Sequence, residues 1–213
     1  MVLLFIGPSG SGKDTQAEFL TREKGFVKVS SGDLIRDISE GGHEIQKIIR
    51  QAMNEGFLAD DFIFGLLHIY LSHLKADNLV LSGVVRRHSQ IELLDFTLFK
   101  LGKELDKVIY FELDDEVAVK RMSSRVVCPV DNSNYNLIYN PPKEDMVCDL
   151  CGSQLVRRED DNEESIKKRL ADFHKDNDEI IEEYEKRGIL IKVDAGKSID
   201  EIRNDVETKL NLA

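Results

Sequence analysis

The sequence opens with a short apolar run that leads directly into a glycine-rich loop, and this pair limits the fold more than any other feature. Residues 2–6 are all hydrophobic, and residues 7–15 read Gly-Pro-Ser-Gly-Ser-Gly-Lys-Asp-Thr. Glycines at this spacing let backbone N–H groups point at phosphate oxygens, and the lysine reaches a transferred phosphate. The spacing therefore predicts a phosphate-binding loop (P-loop) between a buried strand and a helix over 14–24.

The rest of the chain repeats this alternation of a short apolar run and a helical stretch. Short apolar runs rich in Val and Ile are each followed by a charged stretch with helical spacing, which predicts an α/β fold around a five-stranded parallel sheet. A long helix is predicted to follow Asp161 as its N-cap, with Glu164 three residues on, and to end at Gly188. The predicted strands are 2–6, 26–29, 79–81, 108–111 and 189–193.

Two segments interrupt the rhythm. Residues 30–59 hold two helical stretches divided by a Gly-Gly pair, and they predict a small helical insertion. Residues 126–159 hold all three cysteines and three of the four prolines, with little helical periodicity. This second segment predicts an irregular or β-rich insertion.

Charge and composition exclude several classes of protein. The 213 residues include 40 Asp and Glu against 29 Lys and Arg, a formal net charge of −11. This balance, without a stripe of basic and aromatic residues, argues against a nucleic-acid-binding protein. The apolar run near the start is too short for a signal-peptide core or a membrane span, so a soluble cytoplasmic protein is expected. The few, crowded cysteines favour a reducing compartment.

The cysteines predict a metal site. Cys128-Pro-Val-Asp131 and Cys148-Asp-Leu-Cys151 are separated by sixteen residues, the spacing of paired knuckles around four ligands. Three thiolates and one carboxylate carry the charge of four thiolates, which suits tetrahedral Zn²⁺. The metal is expected to be structural, because the segment has few apolar residues of its own. The alternative is three free cysteines with Asp131 on a turn.

Five segments together resemble the adenylate kinase family of nucleoside monophosphate kinases over nearly the whole chain. The resemblance implies a P-loop NTPase fold whose five-stranded core is interrupted by a helical monophosphate-binding insertion and a lid. It implies a core of residues 1–29, 60–124 and 161–213, an insertion at 30–59 and a lid at 125–160. The matching segments are Gly-Pro-Ser-Gly-Ser-Gly-Lys-Asp-Thr-Gln at 7–16, Ser-Ser-Gly-Asp-Leu-Ile-Arg at 30–36, Ser-Gly-Val-Val-Arg-Arg-His-Ser-Gln at 82–90, Tyr-Asn-Pro-Pro-Lys at 139–143 and Arg-Arg-Glu-Asp-Asp at 157–161.

The resemblance also implies roles for single residues. Arg36 and Arg86 match the family residues that bind the AMP phosphate, and Gln90 matches the family residue that contacts the AMP base. Fixed guanidinium groups suit phosphoryl transfer, because they bond phosphate in a planar fork and keep their proton. The implied ATP-binding residues are Gly10, Ser11, Gly12, Lys13, Asp14, Thr15, Arg121, Arg125 and Tyr139. The implied AMP-binding residues are Ser31, Arg36, Gly83, Arg86, Gln90, Arg158 and Arg169. The implied catalytic residues are Lys13, Arg86, Arg121, Arg125, Arg158 and Arg169.

One departure from the family concerns the Mg²⁺ that accompanies ATP. The family reads Asp-Gly-Phe-Pro-Arg where residues 82–86 here read Ser-Gly-Val-Val-Arg, so an aspartate that helps hold the metal's water shell is replaced by Ser82. Our hypothesis is that Asp14, beside Lys13, restores a carboxylate near the metal, with Asp33 as a second candidate. The alternative is that Asp14 only favours the helix N-terminus.

The resemblance implies a monomeric enzyme of nucleotide biosynthesis that reversibly transfers a phosphoryl group from Mg-ATP to AMP, giving two ADP. It implies Mg²⁺ with ATP, structural Zn²⁺ in the lid, and neither nucleic acid nor membrane as a partner. Two alternatives stay open. The acceptor could be another nucleoside monophosphate, because Val84, Val85 and Arg87 depart from the family beside the acceptor site. The protein could also be a nucleotide-binding module with weak transfer, because of Ser82.

Overall fold

A five-stranded parallel sheet forms the centre of the protein in a computed structural model that describes residues 1–55, 58–131, 133–157 and 161–212. The strands are β1 (Val2–Ile6), β2 (Val27–Ser30), β3 (Leu79–Ser82), β4 (Lys107–Glu112), β5 (Arg125–Val127), β6 (Asn134–Asn136) and β7 (Leu190–Asp194). The central sheet has the order β2-β3-β1-β4-β7, with every neighbouring pair parallel. The predicted fold is confirmed, and each predicted sheet strand ends within one residue of the observed one.

The central strand β1 is buried on both faces, which explains its uninterrupted apolar run. The helices are α1 (Lys13–Lys24), α2 (Ser31–Ser39), α3 (Glu44–Glu55), α4 (Asp60–His73), α5 (Gln90–Lys100), α6 (Asp115–Ser123), α7 (Glu163–Lys186) and α8 (Ile199–Leu210). Because side chains alternate along a strand, Leu4 packs into one apolar cluster with α4, α5 and α7, while Leu3 and Phe5 pack into a second with α1 and α8. None of these helices is long and apolar enough to cross a membrane.

The N-terminus of α7 differs from the prediction. Asn162, and not Asp161, is the N-cap, and its side chain accepts a hydrogen bond from the Ser165 N–H at 2.9 Å. The Asp161 side chain is only 4% exposed and accepts hydrogen bonds from Arg125 and Arg169 instead. Charge-assisted bonds to guanidinium groups are stronger than a bond to a helix N–H, so the aspartate turns toward the arginines and the asparagine caps the helix.

The two interrupting segments have different architectures. Between β2 and α4 lie α2 and α3, with Gly41 in a left-handed conformation between them. Between α6 and α7, β5 and β6 form an antiparallel pair, extended by isolated bridges such as Val127 with Val156. A small buried cluster fills this second segment: Val126, Cys128, Tyr135, Cys148 and Leu155.

Candidate active site

The site lies at the carboxyl edge of the central sheet, where parallel strands deliver their following loops side by side. The phosphate-binding loop follows β1, Ser31 follows β2, and Gly83 follows β3. A cavity of about 40 Å³ opens between the segments that follow β1 and β3 and the helix that contains Phe173 and Ile180, α7. Its walls include Gly7, Lys13, Gly83, Arg86, Phe173 and Ile180.

The phosphate-binding loop has a backbone conformation that favours glycine. Gly10 and Gly12 have φ angles of 86° and 80°, in the left-handed region that side chains disfavour. At Gly7, a Cβ atom would lie 2.9 Å from the carbonyl oxygen of Phe111, too close for any side chain. The loop leads into α1, whose first residue is Lys13 and whose first turn contains Thr15. A wrapped backbone followed by a helix N-terminus forms a cradle for phosphate.

Lys13 lies among other charged groups. Its ammonium group donates to the Pro8 carbonyl at 3.3 Å. Burial lowers the pKa of Lys13; Asp14 opposes this effect, and the positive charges of Arg86 and Arg125 strengthen it. Cations from the phosphate-binding loop, from the segment after β3 and from the segment after α6 therefore share one electrostatic environment.

Asp14 spans the gap between the phosphate-binding loop and the end of β3. The Ser82 hydroxyl donates a hydrogen bond to Asp14 Oδ1 at 2.8 Å. Burial raises the pKa of Asp14, but Lys13, Lys28 and the Ser82 hydroxyl outweigh it and lower the pKa below its ordinary value. An ionised carboxylate is thus held beside the lysine of the loop, adjacent to the position where the family carries its aspartate.

Lys28 is a charged neighbour that the sequence pattern did not identify. Its Nζ lies 3.1 Å from Glu18 Oε1, 3.7 Å from Asp14 Oδ1 and 4.0 Å from Asp33 Oδ2. Burial lowers the pKa of Lys28, yet these carboxylates raise it above the usual range. The available signal was a lysine in the middle of the otherwise apolar run of β2.

Several of the predicted AMP-binding residues lie around the loop after β3. The Ser31 hydroxyl donates to the Gly83 carbonyl at 2.9 Å, and Arg86 Nε donates to the same oxygen at 3.2 Å. Burial lowers the pKa of Arg86; the charge of Asp14 opposes this, and nearby Arg169, Arg36 and Arg87 lower the pKa further. Arg36 also forms an ion pair with Asp33 on α2.

Gln90 is held on both ends of its amide. Its Oε1 accepts from the backbone N–H groups of Arg86 at 2.7 Å and Arg87 at 3.1 Å. Its Nε2 donates to Asp60 Oδ1 at 2.6 Å, and the Arg87 guanidinium donates to the same oxygen at 2.5 Å. The sequence pattern did not identify Asp60, because nothing near residue 60 indicates that α4 begins opposite Gln90.

Two predicted ATP-binding residues, Arg121 and Tyr139, lie against each other. The Arg121 guanidinium lies 5.2 Å from the centre of the Tyr139 ring. It donates to the carbonyl of Ala195 at 2.8 Å and to that of Gly10 at 3.4 Å. Arg121 thereby connects α6, the phosphate-binding loop and the segment after β7.

Arg125 and Arg169 share one carboxylate. Arg125 bonds Asp161 with two parallel hydrogen bonds, of 2.7 Å and 2.6 Å. Arg169 Nη1 donates to the same group at 3.3 Å. Arg158, which the sequence also places in the site, lies outside the described residues.

The four predicted metal ligands lie together. The candidate ligand atoms of Cys128, Asp131, Cys148 and Cys151 are all within 4.8 Å of one another. The Sγ atoms of Cys128 and Cys151 are 3.4 Å apart, and Cys148 Sγ lies 3.2 Å from Asp131 Oδ2. A tetrahedral Zn²⁺ with Zn–S bonds of about 2.3 Å requires ligand separations of about 3.8 Å, which this arrangement approaches.

A second layer of contacts orients these ligands. The Tyr135 hydroxyl lies 3.5 Å from Cys148 Sγ and accepts from the Asp149 N–H at 2.8 Å. The Ser133 N–H donates to Asp131 Oδ1 at 2.9 Å. The donor set and its supporting contacts fit a structural zinc ion.

Comparison with known proteins agrees with this geometry. A family model described as "Adenylate kinase" matches residues 5–189. An adenylate kinase from Caldicellulosiruptor saccharolyticus is 35% identical over 216 residues, covering 100% of both chains. One from Petrotoga mobilis is 37% identical over 97% of this chain and 95% of its own, and one from Archaeoglobus fulgidus is 36% identical over 99% and 98%. The resemblance seen in the sequence motifs is thus confirmed along the chain, which belongs to the adenylate kinase family.

Proposed function

We propose that the protein reversibly transfers the terminal phosphoryl group of Mg-ATP to AMP, giving two ADP. The observation that carries this proposal is that Lys13 of the phosphate-binding loop and Arg86 of the segment after β3 line one cavity at the carboxyl edge of the sheet. The positive charge of Arg125 also acts on Lys13 and lowers its pKa. Two nucleotides bring several negative charges together, and fixed cations offset this repulsion. The relatives named adenylate kinase match this chain over 97–100% of its length, and this supports the same activity.

We assign roles to the described residues from the family resemblance, and their positions support these roles. The loop backbone and Lys13 hold the ATP phosphates, and Arg121 with Tyr139 contacts the ATP side. Arg36 and Arg86 hold the acceptor phosphate. Ser31, Gly83 and Gln90 complete the acceptor site. Arg125 and Arg169 supply guanidinium donors to the transferring group, whose charge in the transition state is spread over its equatorial oxygens. No nucleophilic side chain is required, because the acceptor phosphate attacks in line.

Residues 30–59 and 125–160 act as the two closing parts over a core of 1–29, 60–124 and 161–213. Closure excludes water, which would otherwise accept the phosphoryl group. The hydrogen bonds between Arg125 and Asp161 support this division, because they join the start of the lid to the first residue of the last core segment.

Two metals belong to the proposal. Mg²⁺ bound with ATP supplies positive charge that neutralises the phosphates. Asp14, hydrogen-bonded to Ser82, provides a carboxylate of the hard-oxygen type that Mg²⁺ prefers. In the lid, Cys128, Asp131, Cys148 and Cys151 hold a structural Zn²⁺, which adds a cross-link to a small apolar cluster.

The experiment that tests the activity mixes the purified protein with Mg-ATP and AMP, GMP, CMP or UMP in turn, and follows diphosphate formation by phosphorus NMR. We expect rapid ADP formation with AMP and slower transfer to the other three. Faster transfer to another monophosphate would reassign the acceptor. Nucleotide binding without transfer to any acceptor would replace the enzyme with a binding module.

A further inference from the structure

The side-chain amide of Gln90 has few hydrogen-bonding positions left with which to recognise a nucleotide base. An amide oxygen accepts two hydrogen bonds, and an amide nitrogen donates two. Both bonds to Gln90 Oε1 come from the backbone N–H groups of Arg86 and Arg87. One of the two Nε2 hydrogens is used by Asp60. Gln90 therefore offers an incoming base one N–H donor, and a base that also presents a donor needs an acceptor from another residue.

Asp60 is that acceptor. Its Oδ1 receives the bonds from Gln90 and Arg87, and its side chain is 19% exposed, so the carboxylate is held in place yet reachable. An ionised carboxylate has about four acceptor positions on its two oxygens, so two bonds to Oδ1 leave capacity for a ligand. Asp60 begins α4, directly after residues 30–59, on the acceptor side of the site.

We propose that Asp60 determines base specificity, accepting a hydrogen bond from the exocyclic amine of the acceptor nucleotide while Gln90 Nε2 donates to the neighbouring ring nitrogen. This inference rests on the proposed function, which places the acceptor base at Gln90. A donor next to an acceptor on the protein is complementary to the adenine edge, where N1 accepts and the 6-amino group donates. A 6-oxopurine carries the reverse pattern, with a ring N–H donor and a carbonyl acceptor.

Arg87 supports this role. Its guanidinium donates to the carboxylate at 2.5 Å, while its backbone N–H donates to the side-chain oxygen Oε1 of Gln90. Arg87 thus fixes the positions of Asp60 and Gln90 relative to each other. Charge-assisted hydrogen bonds of this kind add geometric specificity as well as binding energy.

The test compares two acceptors that differ by one group: AMP and purine riboside 5′-monophosphate, which lacks the 6-amino group. The variant is Asp60→Ala, and the matched control is Asp61→Ala, which removes an exposed carboxylate one residue along. The measurements are kcat and KM for each acceptor at saturating ATP, together with the KM for ATP. Isothermal titration of each acceptor gives a readout independent of turnover.

A hydrogen bond to a charged group contributes about tenfold or more in affinity. The wild-type protein and Asp61→Ala should prefer AMP by about this factor. In Asp60→Ala the KM for AMP should rise about tenfold and approach that of the purine riboside nucleotide, with the KM for ATP unchanged. Asp60→Asn, which keeps the side-chain size and a neutral acceptor oxygen, should give an intermediate preference.

An equal loss with both acceptors in Asp60→Ala and Asp60→Asn would give Asp60 a purely structural role and overturn the inference. A preference for AMP that stays unchanged in both variants would overturn it as well. Failure of the proposed function is distinguishable, because the wild-type protein would then fail to transfer to AMP.

Discussion

The contact between Asp14 and Ser82 changes how the Ser82 substitution is interpreted. Ser82 lacks the charge of the aspartate that the family carries at this position, but its hydroxyl bonds a carboxylate 68 residues earlier in the chain. The negative charge is therefore present at the end of β3, supplied by the first turn of α1. Its lowered pKa keeps Asp14 ionised at neutral pH and through mild acidification. The alternative role, in which Asp14 only stabilises the helix N-terminus, does not account for the Ser82 bond.

Asp14→Asn should weaken divalent-metal binding while retaining an oxygen that can accept from Ser82. We expect the affinity of the protein–ATP complex for Mn²⁺ to fall about tenfold, because a neutral amide attracts the metal less than a carboxylate does. Titration of Mn²⁺ followed by electron paramagnetic resonance measures this directly. Glu18→Gln is the control, because it removes a different carboxylate beside Lys28. Equal Mn²⁺ affinity in the two variants would leave Asp14 with a helix-stabilising role only.

At the scale of helices and strands, the periodicity of apolar residues was sufficient to predict the sheet. The Val- and Ile-rich runs identified four of the five strands, and the brief apolar segment at 26–29 identified the fifth. The signal is clearest in β1, because a parallel strand that is buried on both faces needs continuous apolar sequence. The N-cap of α7 was wrong by one residue, because the partners of Asp161 lie 36 residues before it and eight after it. Local pattern gives no information about such pairings, and the same holds for Lys28 and Asp60.

The lid should depend on its metal more than the core does. We expect about one zinc ion per chain, and its removal by a chelator should speed hydrogen exchange in β5 and β6 while leaving β1 and β4 protected. Mass spectrometry of exchanged fragments measures both regions at once. Identical exchange with and without chelator would favour free cysteines and no metal.

A pair of variants tests the ligand set of the lid. Asp131→Asn removes a proposed ligand. Asp149→Asn changes an aspartate that lies between two cysteines in the sequence, but the Asp149 side chain accepts a hydrogen bond from the Lys143 N–H instead. Asp131→Asn should lower the bound zinc, and Asp149→Asn should retain it. Equal zinc content in both variants would exclude Asp131 as a ligand.

Over the whole molecule, Asp161 is one of the points where the proposed lid and core meet. Arg125 lies at the start of β5, Arg169 lies on α7, and the carboxylate between them is almost fully buried. An internal anion here offsets the repulsion between two cations that the proposed reaction needs close together. Phosphate groups of a nucleotide carry the same charge, so they can take over this role.

Asp161→Asn should therefore lower the stability of the protein by about 2 kcal/mol, the contribution of hydrogen bonds to charged groups. Saturating ATP should reduce this deficit, because its phosphates supply replacement anions. Urea unfolding with and without ATP measures both values. Asp172→Asn, at an exposed position on α7, is the control. A variant as stable as the wild type, or a deficit that ATP leaves unchanged, would contradict this account.

The order in which the strands pair in the sheet also affects how the chain folds. The neighbours of β1 in the sheet are β3 and β4, with Val2 opposite Leu79 and Leu3 opposite Lys107. These contacts join segments far apart along the chain, and contacts of that kind close long loops and slow folding. Because the phosphate-binding loop takes its shape from the end of β1, we expect the capacity to bind phosphate to appear in refolding only with the completed sheet.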